Sequence, residues 1–243
     1  VSFSGVFAAG LTNIHFFEWW ARIFPNMSET SDPAGRPPKA RFYDRFADVY
    51  DRNMRPLERW GLARLRARAL AEVAPALAER TGGGRLLEVG AGTGGNFPFY
   101  PAGARAACVE PSREMLLRAY GKPGRPEGSL LVRAFAERLP FASSSFDAGV
   151  ATLVFCSVGS PAEGLSELRR VVRWGGRVVL LEHVRPRGVL GYAFDALSLV
   201  TVPLMDDHFN RRTSDEARRA GLEVLTVENH LLGIVQLIVC RVV

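Results

Sequence analysis

The amino-acid sequence predicts an α/β fold: a seven-stranded, mostly parallel sheet with helices on both faces, an antiparallel C-terminal hairpin and an N-terminal helical lid. Three observations predict it. From residue 85 onward, short apolar runs alternate with amphipathic helical runs, the pattern of a parallel sheet covered on both faces. The last two apolar runs are joined only by residues 229–233, too short a link for a crossover helix, so they pair antiparallel. Ahead of the first run, Phe42, Tyr43, Phe46, Val49 and Tyr50 recur at three- and four-residue steps, an aromatic helical stripe.

Taken in order, residues 1–27 are apolar and aromatic, with Phe16, Phe17, Trp19 and Trp20 clustered. The basic start of a signal peptide is missing, and the uncharged part is marginal for a membrane span. Three readings stand: an interfacial helix with an aromatic anchor, a helix packed on the domain, or upstream sequence that is not naturally translated, since Met27 precedes a conventional polar start. Residues 28–40, rich in Ser, Asp, Pro and Gly, read as a linker, and 41–243 as the domain.

Helical character starts near Ala40. A second, longer helix is expected to carry Pro56 in its first turn and Leu57, Trp60, Leu62, Leu65, Leu70, Val73 and Leu77 in a loose apolar stripe, ending at Gly82-Gly83-Gly84. Strands are expected at 85–90, 105–110, 129–134, 146–153, 176–182, 222–228 and 234–241. Helices are expected near 95–99, 112–120, 161–172, 189–203 and 213–220.

At 243 residues the chain has the size of one α/β domain with N-terminal additions, and its 47% apolar content supplies an ordinary core. Cys108, Cys156 and Cys240 are too widely spaced for a disulfide framework or a zinc site, which fits a reducing compartment. The expected location is the cytoplasm, with peripheral contact at the inner membrane face left open. A net charge of +6 raises the question of an anionic partner. Lys39 and Lys122 are the lysines among 31 basic residues, and arginine pairs such as Arg169-Arg170 and Arg211-Arg212 are spread along the chain without interleaved aromatics. That distribution argues against nucleic acid as a partner.

The stretch Arg85-Leu-Leu-Glu-Val-Gly-Ala-Gly-Thr-Gly-Gly95 is the most informative. An apolar strand runs into a turn stripped of side chains, so backbone amides can close on a polar cofactor at a helix start. Fifteen residues on, Arg105-Ala-Ala-Cys-Val-Glu110 ends in a carboxylate that can take both hydroxyls of a ribose. Together they indicate an adenosine-type cofactor. Gly90, Gly92 and Gly95 satisfy the dinucleotide pattern, whereas Gly90, Gly92 and Gly94 satisfy G-x-G-x-G. Glu88 weighs for a cationic amino-acid end, as in S-adenosylmethionine, over a pyrophosphate.

The ordered set of motifs resembles the class I S-adenosylmethionine-dependent methyltransferases, in particular the type 11 and ubiquinone/menaquinone-methyltransferase-like group. The resemblance runs over about residues 41–241: 42–51 for the preceding helix, Leu86 to Gly94 for the cofactor loop, and Cys108-Val-Glu-Pro-Ser112 for the ribose strand. It continues with Ala136-Glu-Arg-Leu-Pro-Phe141 and Ser145-Phe-Asp147, then with residues 168–178, where Trp174 replaces the usual proline. Thr152 to Val158, Glu182-His-Val184 and 206–213 are similar to membrane-associated thiol methyltransferases, and 229–241 to phospholipid N-methyltransferases. The resemblance implies a Rossmann-like sheet and S-adenosyl-L-methionine as cofactor.

Gly90, Gly92 and Gly94 are assigned to the cofactor turn, Glu88 to its methionine end and Glu110 with Pro111 to the ribose side. Met115, Ala136 and Glu137 are placed near the adenine, and Leu153 to Cys156 end strand four, where crevice-lining residues belong. Methyl transfer asks mainly for alignment, and a base matters only for an acceptor that must lose a proton. His183, just past strand five, is the candidate base, with a structural histidine as the alternative. Tyr43, Cys156 and His208 are expected at the acceptor. Asp206-Asp207-His208 lacks the further ligands a metal requires, so no metal is expected. The expected function is methyl transfer to a small, hydrophobic or lipid-like acceptor, namely a quinone, a phospholipid amine or a thiol. An NAD(P)-dependent oxidoreductase and a non-catalytic cofactor-binding module stand as alternatives.

Overall fold

The computed structural model describes residues 38–80, 82–186, 191, 192, 195 and 211–243. The 1–27 segment, most of the 28–40 linker, most of the helix expected at 189–203, and His208 lie outside the described residues.

Helix α1 (Pro38–Leu57) begins inside the expected linker and contains Pro56 near its end, rather than yielding that proline to the first turn of the next helix. A proline removes one backbone donor from the ladder, and here the chain widens into a π-helical turn, Glu58–Leu62, in which Gly61 departs from helical geometry at φ +137°. Helix α2 (Ala63–Ala78) follows directly. The irregular turn changes which residues face inward. Leu70, Val73 and Leu77 are buried as expected, but Leu57 and Trp60 are exposed.

The sheet comprises β1 (Arg85–Val89), β2 (Arg105–Val109), β3 (Leu130–Val132), β4 (Phe146–Thr152), β5 (Val172–His183), β6 (Leu222–His230) and β7 (Val235–Val242). Its spatial order is β3-β2-β1-β4-β5-β7-β6. The first five strands pair in parallel, while β7 runs antiparallel to both β5 and β6. Helices α3 (Arg113–Tyr120), α4 (Pro161–Val171) and α5 (Thr213–Arg219) follow in chain order between the strands. The helix expected at 95–99 is reduced to a 3-10 turn, Phe97–Phe99, because the backbone curls through Gly92 and Gly94 in the left-handed region before Pro98.

Side-chain alternation along each strand builds two cores. Leu86, Val150, Val179, Leu181 and Leu237 point to one face, where Ala69, Leu70 and Val73 of α2 cover them. Leu87, Val89, Phe146, Val178, Leu180 and Ile238 point to the other, under Leu165 and Leu168 of α4 and Ala217 of α5. At the amino ends of the strands, Asp147 of β4 is buried and ties three elements together. It accepts from the Arg85 N–H at 2.9 Å, from Arg80 Nε at 2.9 Å and from Arg173 Nε at 3.1 Å.

Candidate functional site

A cavity of about 520 Å³ opens at the carboxyl ends of β1, β2 and β4, the end at which parallel α/β sheets bind ligands. Its floor is the glycine loop. Gly90 sits at φ +72°, and a Cβ there would fall 2.3 Å from the Val154 side chain, so strand and loop can approach only through glycine. Gly92, at φ +54°, has nothing within 4 Å of where its Cβ would lie: this residue faces open space in the cavity.

Glu110 closes one side. Its two oxygens accept from the Gly92 N–H at 3.0 Å and the Ser112 N–H at 2.9 Å, while the Ser112 hydroxyl caps α3 by accepting from Met115 N. Burial pushes the Glu110 carboxyl up to about 7, against the pull of those two amides. Pro111, Met115, Ala136 and Glu137 line the same half, and Glu137 also holds Ser160 N at 3.1 Å.

Helix α1 lies over the cavity and supplies Tyr43, Tyr50, Asp51 and Met54 to its lining. Three acids on one face fasten it. Asp44 accepts from the Ser112 hydroxyl at 2.6 Å and Glu114 N at 3.2 Å, Asp48 pairs with Arg118, and Asp51 takes Lys122 at 2.6 Å and the Thr93 hydroxyl. Their spacing of four and three residues puts all three on one helical stripe. Burial pushes the Tyr50 phenol up to about 12, so it remains a hydrogen-bond donor at neutral pH.

Arg66 of α2 is a cavity residue that the sequence pattern did not single out. Its guanidinium is buried and donates to Glu58 at 2.9 Å, Asn96 at 2.9 Å and Thr152 at 2.6 Å, and it lies against Gly95. No local signal separates it from Arg64 and Arg68, which are exposed. Behind it stands Glu88, which accepts from Asn96 Nδ2 at 2.5 Å and from the Tyr100 hydroxyl. Burial raises the Glu88 carboxyl, against these hydrogen bonds and the Arg66 charge.

Gly90, Gly92, Gly94, Glu110, Pro111, Met115, Ala136, Glu137, Leu153 and Tyr43 therefore come together around one cavity. Glu88, Cys156 and His183 are not among its lining residues. Glu88, expected at the ligand, stands behind the lining with its carboxylate held by Asn96 and Tyr100. Cys156 is buried in the turn after β4, and His183 ends β5, half-buried and paired with Val235. That turn is held by Glu182, whose carboxylate accepts from Val154 N at 3.0 Å and Phe155 N at 3.1 Å. Leu153 at its start is left-handed at φ +57°, a conformation that costs a non-glycine residue about 1–3 kcal/mol. Among the described residues, no three His, Cys, Asp or Glu side chains gather as a metal site.

The strand order, the glycine loop after β1 and the acid after β2 point one way, and residues 87–180 match the type 11 family model, a methyltransferase domain. Residues 87–180 carry a methyltransferase domain of the type 11 family. Among curated relatives, the domain is 35% identical over 150 residues to a thiol S-methyltransferase of Mus musculus, covering 59% of this chain and 62% of that one. It is 38% identical over 120 residues to a phosphatidylethanolamine N-methyltransferase of Cereibacter sphaeroides, covering 48% and 59%. The chain thus spans less than two thirds of the curated relatives it matches. A solved S-adenosylmethionine-dependent methyltransferase from Thermotoga maritima, described as a possible histamine N-methyltransferase, shares the methyltransferase fold. Its TM-score is 0.58 at 24% identity over 84% of this chain and 99% of that one.

S-adenosylmethionine is the cofactor that this family and fold imply. The cavity of the methyltransferase domain fits it chemically: open space over Gly92, a carboxylate beside it for hydroxyl donors, and a buried cation beside Gly95.

Proposed function

We propose that this chain transfers the methyl group of S-adenosylmethionine to a small, hydrophobic or lipid-like acceptor, such as a thiol, a phospholipid amine or a quinone. The observation that carries the reading is the composition of the cavity. Polar loop and carboxylate groups suit the cofactor, while Tyr43, Met54, Phe99, Leu153 and Val154 leave an apolar remainder. The relatives' names agree with such acceptors: a thiol, phosphatidylethanolamine and, in Renibacterium salmoninarum at 36% identity over 105 residues, demethylmenaquinone.

In this reading S-adenosylmethionine supplies an activated methyl group, and the protein supplies alignment, worth on the order of several kcal/mol. Glu110 accepts the ribose hydroxyls, and Gly90, Gly92 and Gly94 keep the loop close. Arg66 takes the methionine carboxylate, while Met115, Ala136 and Glu137 flank the adenine. Tyr43 and Tyr50 close the site against water. Where the acceptor must lose a proton, His183 is the proposed base, with Cys156 and His208 on the acceptor side.

Calorimetric titration with S-adenosylhomocysteine and, in parallel, NADH tests the cofactor. Micromolar binding of the homocysteine compound alone supports the reading, and binding of NADH alone overturns it. With an acceptor found by screening thiols, lipids and quinones, His183→Ala is expected to lower turnover and shift its pH profile at unchanged cofactor affinity. Equal turnover assigns His183 to the sheet end.

A further inference from the structure

The π-helical turn that spoils the apolar stripe of α2 has a second effect. It projects Leu57, 50% exposed, and Trp60, 86% exposed, outward, while Met54 and Glu58 on either side of Leu57 line the cavity. The tip of the β6–β7 hairpin presents Leu231, 65% exposed, and Leu232, 90% exposed, both held at positive φ.

These two projections belong to the same end of the molecule. The hairpin tip adjoins the carboxyl end of β5, where His183 pairs with Val235, and Leu181 of β5 pairs with Thr152 of β4. Arg66 in the first turn of α2 reaches that same Thr152. Leu62, which ends the turn, and Leu65, just past it, pack on the same core cluster as Ile234 at the hairpin tip. Large apolar side chains left in water beside a cavity mouth mark an interaction surface.

Its charge says what kind. Arg52, Arg55, Arg59 and Arg64 are exposed along the same stretch. The acids there are engaged, Asp51 by Lys122 and Glu58 by Arg66, whereas Arg52, Arg59 and Arg64 have no ion-pair partner among the described residues. A tryptophan and leucines among unpaired arginines match an interface between acyl chains and anionic headgroups. Each arginine near such a surface adds to its attraction for anionic headgroups.

We infer that the rim formed by Leu57, Trp60, Leu231 and Leu232 docks on an anionic phospholipid bilayer and turns the mouth of the cavity toward it. The inference rests on the lipophilic-acceptor reading above: an acceptor dissolved in the bilayer then enters without crossing water.

The test uses the full chain with vesicles of phosphatidylcholine, alone or mixed with phosphatidylglycerol. Binding to the mixed vesicles is expected to exceed that to phosphatidylcholine, and to fall about tenfold in the double variant Trp60→Ser/Leu232→Ser and in Arg59→Glu/Arg64→Glu. Brominated lipids report position: quenching of tryptophan emission drops in Trp60→Phe and persists in Trp174→Phe, since Trp174 lies at the opposite end of β5 and is 78% exposed. Variant binding equal to wild type, or equal quenching in the two tryptophan variants, overturns the inference and moves any bilayer contact elsewhere in the chain. Absence of vesicle binding with self-association through the rim, or capture of a protein on it, overturns it as well. Affinity for S-adenosylhomocysteine, measured on the same variants without lipid, is expected to be unchanged. Its absence in wild type would sink the methyltransferase reading independently of the vesicle result.

Discussion

At Glu110 the burial that shapes the site also sets its response to pH. Burial holds the carboxyl up at about 7 against an ordinary 4.5, and accepting ribose hydroxyls, its proposed role, would favour the ionised form. Cofactor affinity is therefore expected to rise with pH up to about 7, by at most about one decade per pH unit, and to level off above. Binding below that plateau releases a proton. Calorimetry of S-adenosylhomocysteine in buffers of different ionisation enthalpy measures the release directly. Glu110→Gln is expected to weaken binding at least about tenfold, or ~1.4 kcal/mol, and to abolish the pH dependence. A slope that survives the substitution assigns the proton elsewhere. Glu182, also raised to about 7 by burial, is the other group to check, but its hydrogen bonds run to the backbone after β4 rather than into the cavity.

Helix α1 owes its place over the cavity to polar contacts as much as to packing. Asp44, Asp48 and Asp51 meet the start of α3, Arg118 and Lys122, and the last two pairs are partly exposed, so salt screens them. Asp44→Ala combined with Asp51→Ala is expected to speed dissociation of S-adenosylhomocysteine several-fold while leaving the sheet folded. Raising ionic strength should move wild type in the same direction. Stopped-flow displacement measures both, and an unchanged off-rate would mean that α1 does not close the site. The element was legible in the sequence as an aromatic stripe, but its fastening was not, because those acids find their partners some seventy residues away.

For the molecule as a whole, the amino ends of the strands are secured at Asp147. Burial would raise its carboxyl, but the Arg85 N–H and the Arg80 and Arg85 charges outweigh that and hold it below its ordinary 3.8. A depressed folded-state value stabilises the protein above the unfolded value, and that stabilisation is lost as pH falls through the folded one. Asp147→Asn is accordingly expected to cost about 1–3 kcal/mol near neutrality, with the two proteins converging in acid. Thermal unfolding from pH 7 down to 3 follows the gap, and a constant difference across that range would refute the account.

By itself the sequence determined the seven strands, the antiparallel end, the glycine loop after β1 and the carboxylate that follows β2. Each rests on neighbours within a few residues: alternation of apolar side chains, glycine at every second position, a carboxylate closing a strand. The spatial order of the strands, the union of Gly92 with Glu110 and the selection of Arg66 over Arg64 and Arg68 came only with tertiary structure. So did the retreat of Glu88 behind Asn96 and Tyr100 and the outward turn of Trp60. The physical reason is that local pattern says which face of an element is apolar, whereas the partner of a buried charge depends on which distant backbone ends beside it.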